Sequence, residues 1–471
     1  METAIPLVDR LVTHALGITF EDLDPHTLIR VKTRLLDTLG AMAAGHGSQD
    51  APAVLRVAAA WGSGDDAGIP GTSLRLPAAS AAFANSVLAR SFDFEPVEAD
   101  GPEGTRVAAH ISGTTVPVAL ALAELTGASG EELLTALAVG DDITARLAVA
   151  SGFDVYSGAD NTGTVNALGA TLMAARMLGL DAPTAKHALG IAANQLGGTV
   201  ANIFDAASAF KLPIALAAHT AITSAQLAAA GFTGANDPLE GKHGYFQMYC
   251  TDPKPALAGV CLGREFYGDT TIKPWSSCRA AHPSLEACIR LVTEEGVEVE
   301  QIKDVSIHIT ERTLNGFVGA RFDPAERRVV AGLFSIHFTA AAGLLHGTVR
   351  PEHLTPEAMG DERIAALLER ITLIGSLPNN QRLTAEATAT LKDGSTRHVR
   401  VQYPAGDFAS TPLENSVIEE KFQLNVAFGL PELAERAPRL IELVSGLELA
   451  ESLEGFFGSL NPTAMITTPI A

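Results

Sequence analysis

Three polar residues each stand directly before a stretch of small and apolar residues with the pattern of a helix. His110 precedes ISGTTVPVALALAE, Asp160 precedes NTGTVNALGATLMAA, and His282 precedes PSLEACIRLV. The first turn of a helix has unpaired N–H groups and a partial positive charge, so it binds carboxylates readily. Each of these residues is either an ordinary helix cap or part of a shared site for a carboxylic acid.

Two lysines and an arginine add positive charge to these segments. Lys211 lies among apolar residues in FDAASAFKLPIALAAHTA, where a lysine either extends to the surface or is held charged by an anion. Lys273 and Arg279 precede His282 in the loop IKPWSSCRAAHPSLEA, although the whole chain carries a formal net charge of −21. The sequence therefore predicts that this loop binds the carboxylates of a small substrate.

These residue types suit the removal of a proton from a carbon next to a carboxylate. That carbon acid is weak, so the negative charge that develops on the carboxylate oxygens must be stabilised, here by lysine charge and helix N-termini. His110 or a desolvated lysine supplies a base with a pKa near neutrality. Asp93 in ARSFDFEPVE is either a cap or a catalytic carboxylate, and Asp160 either exchanges a proton or orients His110.

The residues before position 268 have the pattern of a helical protein. Apolar residues at helical spacing fill DPHTLIRVKTRLLDTLGAMAAG, which predicts a helix with Asp24 as its N-cap and Gly45 at its end. Several later helices are apolar on nearly all sides, which is typical of helices inside a large domain. The sequence predicts a mainly α protein, with a large all-helical domain over residues 1–268 that is completed by residues 405–471.

Residues 269–404 alternate between strand and helix patterns. IKDVSIHIT and RITLIGS each predict a strand, and LTAEATATLKDGSTRHVRVQYP predicts two strands joined by a Lys-Asp-Gly turn. Helices are expected at 283–296, at about 334–346 and over TPEAMGDERIAALLER. These residues predict a smaller α+β domain inserted into the helical one, and we call it the lid.

Composition and motifs narrow the possible partners. The 33 basic and 54 acidic residues would repel nucleic acid and anionic membranes. No stretch approaches ~18 uninterrupted apolar residues, and the N-terminus resembles no signal peptide. No phosphate-binding loop, dinucleotide fingerprint, HExxH motif or CxxC pair occurs in the sequence. We expect a cytoplasmic enzyme with free thiols, a small carboxylate substrate, no cofactor and no metal.

Six segments in this order resemble the MmgE/PrpD family, which includes 2-methylcitrate dehydratase, cis-aconitate decarboxylase and iminodisuccinate epimerase. They are HISGTTVPVALALAE, GTVNALGATLMAARMLGLD, ALGIAANQLGGT, AAAGFTGANDPLEGKHGYF, KPWSSCRAAHPSLEA and LFSIHFTAAAGLLHG. The resemblance covers nearly the whole chain. It implies a helical domain built from both chain ends, an α+β lid, a homodimer, and an active site between the domains that requires no cofactor.

The resemblance also implies which residues form the site. The family's aspartate, histidine, helix lysine and lid lysine fall on Asp93, His110, Lys211 and Lys273, and His282 belongs to the family's C-R-x-x-H motif.

Four parts of the pattern differ from the family's decarboxylating members. Asp160 and Cys278 stand where those members have histidines, and Phe338 stands where they have a tyrosine. Residues 95–97 are Glu-Pro-Val, where the family has an acidic pair and a threonine. These differences disfavour cis-aconitate as the substrate.

The expected activity is therefore that of a carbon–oxygen or carbon–carbon lyase acting on a small di- or tricarboxylic acid. It is most similar to a 2-methylcitrate dehydratase with altered specificity. An epimerase or isomerase of a small dicarboxylic acid is the first alternative, because epimerisation needs fewer proton donors, and a member that binds an acid without converting it is the second. The expected catalytic residues are His110, Lys211, Lys273, Asp93 and Asp160, and the expected substrate-binding residues are Arg279, His282, Thr162 and Cys278.

Overall fold

The computed structural model describes residues 5–325 and 328–461 and is mainly helical, with 57% helix and 10% strand. The helices before residue 268 are α1 Leu7–Gly17, α2 Pro25–Gly45, α3 Ala51–Ala60, α4 Ala78–Arg90, α5 Ser112–Thr126, α6 Gly130–Ala150, α7 Val165–Met177, α8 Ala182–Ala192, α9 Ala201–Phe204, α10 Leu212–Ala229, α11 Tyr245–Tyr249 and α12 Pro255–Ala258. The later helices are α13 His282–Thr293, α14 Glu311–Leu314, α15 Val329–Leu333, α16 Ile336–His346, α17 Pro356–Met359, α18 Glu362–Leu368, α19 Asn415–Gly429, α20 Ala437–Ser445 and α21 Glu454–Leu460.

The helix predicted at 24–45 is confirmed as α2. The Asp24 carboxylate accepts hydrogen bonds from the backbone N–H groups of His26 and Thr27 at 2.9 and 3.0 Å. Pro25 occupies the first helical position, where its missing N–H leaves no hydrogen bond unmade. Helices α4, α5 and α7 are almost entirely buried and pack against α10, because their alanine-rich sequences allow close approach on every side.

Residues 1–268 also contain short strands, so the prediction that this part of the chain is all-helical is wrong. Strand β1 (Ala67–Gly68) pairs with β2 (Arg75–Leu76), and β3 (Val97–Asp100) lies between β4 (Arg106–Val107) and β5 (Asp269–Thr271), all antiparallel. These strands are two to four residues long, too short to show an alternating pattern. The sheet of β3, β4 and β5 places His110 shortly after β4 and Lys273 shortly after β5.

The strands predicted in the lid are confirmed. Strands β6 (Ile302–Thr310), β7 (Ile371–Leu377), β8 (Ala385–Leu391) and β9 (Thr396–Val401) form one sheet in the order β7-β6-β8-β9, with β6 and β7 parallel and the other pairs antiparallel. Val305, Ile307 and Ile309 are all buried, as their alternation predicts. Gly394, in the turn between β8 and β9, has a φ of 87°, a left-handed conformation that glycine adopts without strain.

The helices predicted in the lid are confirmed with one interruption. Helices α13 and α16 match the expected segments to within three residues. The segment TPEAMGDERIAALLER forms two helices, α17 and α18, because Gly360 ends the first and Asp361 caps the second. The Asp361 carboxylate accepts the backbone N–H of Arg363 at 2.8 Å.

A small apolar core contains residues of α1, α6, α7 and α8, and two larger apolar cores hold the elements together. One joins residues between Leu23 and Ile272 with the C-terminal helices from Ile418 to Leu460, so α19 packs on α2. The other contains mainly residues between Ala281 and Val401. The division into domains at 268 and 404 stays a prediction.

One described segment, Ser208–Ala229, is long and apolar enough to cross a membrane by those two measures. However, 61% of its apolar window is buried inside the fold. A core helix meets the same two measures, so the segment is weak support for a membrane span.

Candidate active site

A cavity of about 420 Å³ lies between β4, the loop that follows α6, and the first residues of the lid. Five of the residues predicted from the sequence line this cavity: His110, Asp160, Thr162, Cys278 and Arg279. The wall carries more arginines than carboxylates, and each of these arginines pairs with a carboxylate of the protein. The arginines are Arg90, Arg106, Arg279, Arg312 and Arg382, and the carboxylates are Glu98, Asp154 and Asp160.

His110 lies in the cavity wall, and a buried ion cluster holds its ring. Its Nδ1 lies 2.8 Å from Oε1 of Glu95 and 3.2 Å from Nη1 of Arg90. The same Nη1 donates to Glu95 Oε1 at 2.8 Å and to Oδ1 of Asp93. Arg90 ends α4 and both carboxylates follow it within five residues. A single short segment therefore supplies the cation and its counterions.

Charges within this cluster determine its protonation. Burial alone would raise the pKa of Glu95, but the charges of Arg90 and His110 lower it to about 2. Burial and the charge of Arg90 lower the pKa of His110, and Glu95 opposes that shift. Glu95 is thus an anion that accepts the Nδ1–H of a neutral His110. This tautomer leaves Nε2 unprotonated, as a base requires, and Nε2 has no hydrogen-bond partner within the described part of the chain.

Lys273 and Asp93 form an ion pair that adjoins this cluster. Lys273 Nζ donates to Oδ1 of Asp93 at 2.5 Å and to its backbone carbonyl at 2.6 Å, and both side chains are buried. Asp93 has a φ of 47°, an uncommon backbone conformation for a residue with a side chain. Burial alone would raise the pKa of Asp93, but Lys273 and Arg90 hold it well below its usual value. Lys273 therefore fixes Asp93 and does not line the cavity.

Asp160 lies in the cavity wall and also caps a helical turn. Its Oδ1 accepts the backbone N–H of Thr162 at 3.0 Å and the hydroxyl of Thr162 at 2.6 Å. The capped turn, Asn161–Gly163, leads into α7. The second oxygen, Oδ2, has no hydrogen-bond partner among residues 5–325 and 328–461, so Asp160 can cap the turn and still contact a ligand.

Arg279 lines the cavity, but the protein itself already binds its guanidinium group. Nη1 and Nη2 donate to the carbonyl oxygens of Ala405 and Pro404 at 2.8 and 3.0 Å, and Nε lies 3.4 Å from the buried carboxylate of Glu98. Burial lowers the pKa of Arg279, and the charge of Glu98 opposes this shift. Arg279 therefore fixes the lid loop and leaves little of its charge for a substrate.

His282 and Cys278 differ in their access to the cavity. His282 is fully buried, with Nε2 3.3 Å from the carbonyl oxygen of Ser277, and it does not line the cavity. Burial and the charges of Arg279 and Lys273 lower its pKa well below the usual value. Cys278 lines the cavity, and burial together with the charge of Asp93 raises its pKa to about 12. At neutral pH it is a protonated thiol.

Lys211 binds a carboxylate outside the cavity. Its Nζ donates to Oδ2 of Asp50 at 2.7 Å, and the Lys211 side chain is only 5% exposed. Burial lowers the pKa of Lys211, and Asp50 opposes this shift. Lys211 and Lys273 therefore bind different carboxylates, and neither lines the cavity.

A protein carboxylate occupies the N-terminus of α5, where the sequence suggests a site for a substrate. Asp269 accepts the backbone N–H groups of Ile111 and Ser112 at 3.1 and 2.7 Å, and the hydroxyl of Ser112 at 2.7 Å. Burial and the charge of Asp141 raise the pKa of Asp269 to about 6. The start of α5 does bind an anion, but that anion belongs to β5.

The cluster beside His110 has ligand types that a metal ion could use. One ligand atom each of Asp93, Glu95 and His110 lies within 4.8 Å of the others. However, Nη1 of Arg90 contacts all three residues. The Arg90 guanidinium group therefore already supplies the positive charge that these three side chains contact, and it would repel a metal ion at the same position.

Two protein-family models match most of this chain. The MmgE/PrpD N-terminal domain matches residues 9–258, and the MmgE/PrpD C-terminal domain matches residues 275–447. The chain belongs to the MmgE/PrpD family. MmgE/PrpD proteins include lyases, and the family acts on small carboxylic acids.

Three MmgE/PrpD relatives are similar over most of this chain. The cis-aconitate decarboxylase of Homo sapiens is 27% identical over 466 residues, which cover 94% of this chain and 92% of the relative. The cis-aconitate decarboxylase of Mus musculus is 26% identical over 453 residues, covering 92% and 88%. A cis-aconitate decarboxylase-like protein of Aspergillus oryzae is 25% identical over 366 residues, covering 72% and 74%.

One of the expected differences from the decarboxylating MmgE/PrpD members concerns Phe338. Phe338, at the position of the decarboxylating members' tyrosine, is fully buried, with its ring centroid 4.8 Å from that of Phe322, and it does not line the cavity. Tyr156 does line it, and its hydroxyl has no hydrogen-bond partner in the described structure. Burial raises the pKa of Tyr156. A protonated phenol is therefore available from a different segment.

Sequence reasoning assigned no role to four residues that lie at or beside this cavity. Arg90 and Glu95 lie within three residues of Asp93. Their charges, so close to a predicted site residue, could have indicated that they belong to the same cluster. Tyr156 and Arg382 lie in loops, and only the folded chain brings them to the cavity.

Proposed function

We propose that the protein is a cofactor-independent lyase that eliminates water from a small di- or tricarboxylic acid, in the manner of a 2-methylcitrate dehydratase but with a different specificity. One observation carries this proposal. A neutral His110, hydrogen-bonded through Nδ1 to an ionised Glu95, lies in the wall of an arginine-rich cavity. This arrangement supports a base at Nε2 beside a site that attracts carboxylates.

In the proposed reaction, Nε2 of His110 takes a proton from the carbon next to a substrate carboxylate. The electron pair of the broken C–H bond forms a carbon–carbon double bond, and the C–O bond at the neighbouring carbon breaks. The leaving oxygen takes a proton from the Tyr156 hydroxyl and departs as water, and the proton on His110 returns to Tyr156 through solvent. The arginine N–H groups of the cavity wall that have no partner among the described residues stabilise the negative charge that develops on the carboxylate.

Epimerisation of a small dicarboxylic acid is the second candidate. His110 and Cys278 line the same cavity from different segments of the chain, one next to β4 and the other in the lid loop. The Cys278 thiol is protonated, so it can give a proton to the carbon that His110 has deprotonated. The proton on His110 then returns to the Cys278 thiolate through solvent. If the two groups act on opposite faces of that carbon, the product has inverted stereochemistry.

Decarboxylation is the reaction named in the human and mouse relatives. We rank it below dehydration, because Asp160, Cys278 and Phe338 differ from the residues expected in decarboxylating members. A weaker alternative is a protein that binds an acid without converting it.

Product analysis distinguishes these reactions. The purified protein is incubated with a panel of hydroxylated, unsaturated and amino-substituted di- and tricarboxylic acids, and the products are identified by mass spectrometry and chiral chromatography. Loss of water supports the proposed lyase, whereas an inverted stereocentre supports the epimerase. Loss of carbon dioxide contradicts our ranking, and no conversion of any acid leaves acid binding alone.

We also propose a homodimer in the cytoplasm. Trp61, directly after α3, and Leu216 on α10 present apolar side chains to solvent and are 49% and 51% exposed. The ring of Trp61 lies 5.6 Å from that of His219 on α10, so the two surfaces are continuous. A patch of this kind commonly marks a protein contact. Light scattering should give twice the chain mass for the wild type and a smaller mass for Leu216→Glu, and a wild-type monomer would contradict the proposal.

A further inference from the structure

A second cavity, of about 370 Å³, adjoins the one that contains His110. The two cavities share Arg106, Arg279, Arg382 and Leu383 in their walls. The second cavity has three arginines and one carboxylate, Asp407, in its wall. A ligand in the first cavity can therefore extend toward the three arginines of the second.

Arg106 and Arg382 retain most of their hydrogen-bonding capacity in this structure. Arg106 pairs with Asp407 through Nη1, and Arg382 donates to Oε1 of Glu98 at 2.9 Å, also through Nη1. Their remaining N–H groups have no partner in the part of the chain that the structure describes. A guanidinium group carries five N–H donors in a planar fork that matches a carboxylate, so each arginine can bind a second anion.

Glu98 shows that a carboxylate is stable at this place. It is 1% exposed, and it lies between Arg382 and Arg279 with a further contact to the hydroxyl of Thr271 at 3.2 Å. Its backbone φ of 67° is uncommon for a residue with a side chain. Arg279 also binds two carbonyl oxygens. Arg106 and Arg382, whose side chains are 32% and 50% exposed, are therefore the donors that a ligand can reach.

We propose that Arg106 and Arg382 form a binding site for a second carboxylate of the substrate, remote from the carbon that His110 deprotonates. This inference rests on the proposed function, because that function places the reacting carbon beside His110. The site makes the enzyme selective for acids with at least two carboxylates. Arg279 has a structural part in it, since it holds Glu98 and the lid loop in position.

Calorimetry with acids that lack a leaving group tests the second site without turnover. The probes are propane-1,2,3-tricarboxylate, glutarate and butyrate, which carry three, two and one carboxylates. Each is titrated into the wild type, Arg106→Gln, Arg382→Gln and the control Arg321→Gln. Arg321 forms an exposed ion pair with Glu369 in the lid and lines neither cavity.

The two cavity variants should weaken binding of the tricarboxylate about 10- to 100-fold, as expected for a lost hydrogen bond between charged groups. Butyrate binding should stay unchanged, and Arg321→Gln should bind every probe like the wild type. Arg382→Lys keeps the positive charge but lacks the forked N–H donors of a guanidinium group, so it should bind the tricarboxylate with an intermediate affinity. That binding also shows that a variant at this position folds. Equal affinities in all variants, an equal loss for butyrate, or no binding of any probe would overturn the inference.

Turnover measurements separate this inference from the proposed function. Arginine-dependent binding without conversion of any acid would contradict the proposed lyase and leave the second site intact. Dehydration that is indifferent to Arg106→Gln and Arg382→Gln would contradict the second site alone.

Discussion

Replacing Glu95 with glutamine tests how the protein prepares His110 as a base. The Glu95 carboxylate accepts the Nδ1–H of His110 at 2.8 Å and carries a full negative charge, because its pKa is about 2. The amide is neutral, and it can also turn its N–H toward Nδ1. That orientation places the proton on Nε2, where it blocks the transfer from the substrate.

The size of the effect follows from the bond that is lost. A hydrogen bond to a charged group contributes about 1.5–3 kcal/mol, so we expect kcat to fall about 10- to 100-fold. Glu95 also raises the pKa of His110 against the effects of burial and Arg90. Its neutralisation therefore lowers that pKa further, and the acid limb of the profile of kcat/KM against pH should move to lower pH.

The assay is a set of steady-state rates across pH for the wild type, Glu95→Gln and the control Glu124→Gln. Glu124 accepts the backbone N–H of Gly68 at 2.8 Å and pairs with Arg75, and it lines neither cavity near His110. Circular dichroism checks that each variant is folded. A folded Glu95→Gln enzyme with wild-type kcat and an unmoved acid limb would refute the role that we assign to Glu95.

Three further predictions concern buried titratable side chains. Lys273→Met should lower the free energy of unfolding in urea by about 3 kcal/mol, because it removes one of the two cations that pair with the buried Asp93 carboxylate. Lys186→Met, in a more exposed pair, should change it by less than about 1 kcal/mol. Equal losses would contradict this prediction. The pKa of Asp269 rises from 3.8 to about 6 on folding, so the folded state binds its proton more tightly than the unfolded state does. The unfolding free energy of the wild type minus that of Asp269→Asn should therefore fall by about 1.4 kcal/mol per pH unit as pH rises from about 4 to 6. A flat or rising difference would contradict this prediction. Cys278, with a pKa of about 12, should react with iodoacetamide at pH 8 about 10³-fold more slowly than a free thiol does. Peptide mass spectrometry measures the rate of labelling, and fast labelling of the folded protein would contradict that protonation state.

Much of the fold follows from local sequence patterns. Asp24 and Gly45 bound α2 because capping depends on a few neighbouring residues. The alternation of Val305, Ile307 and Ile309 identifies β6, since one face of that strand is buried. The strands β3, β4 and β5 escaped prediction because each is short, and β5 pairs with residues far away in the sequence.

The site was less predictable, because its geometry depends on which charges meet after folding. His110 and Asp160 do line the cavity, and the sequence indicates both as polar residues before helices. Lys211 and Lys273 carry the charge that a carboxylate site needs, but each binds a protein carboxylate. Sequence alone could not show that Asp50 and Asp93 are those partners, nor that Arg382 reaches the cavity from the loop between β7 and β8.

The central claim is that His110 takes a proton from the carbon next to a substrate carboxylate. The most direct measurement is deuterium incorporation at that carbon in heavy water, followed by NMR for the acid that the wild type converts. His110→Gln is compared with the control His398→Gln, whose side chain lies on β9 and contacts Thr388. We predict exchange at the wild-type rate in His398→Gln and a loss of at least about 100-fold in His110→Gln. Undiminished exchange in a folded His110→Gln protein would contradict the claim.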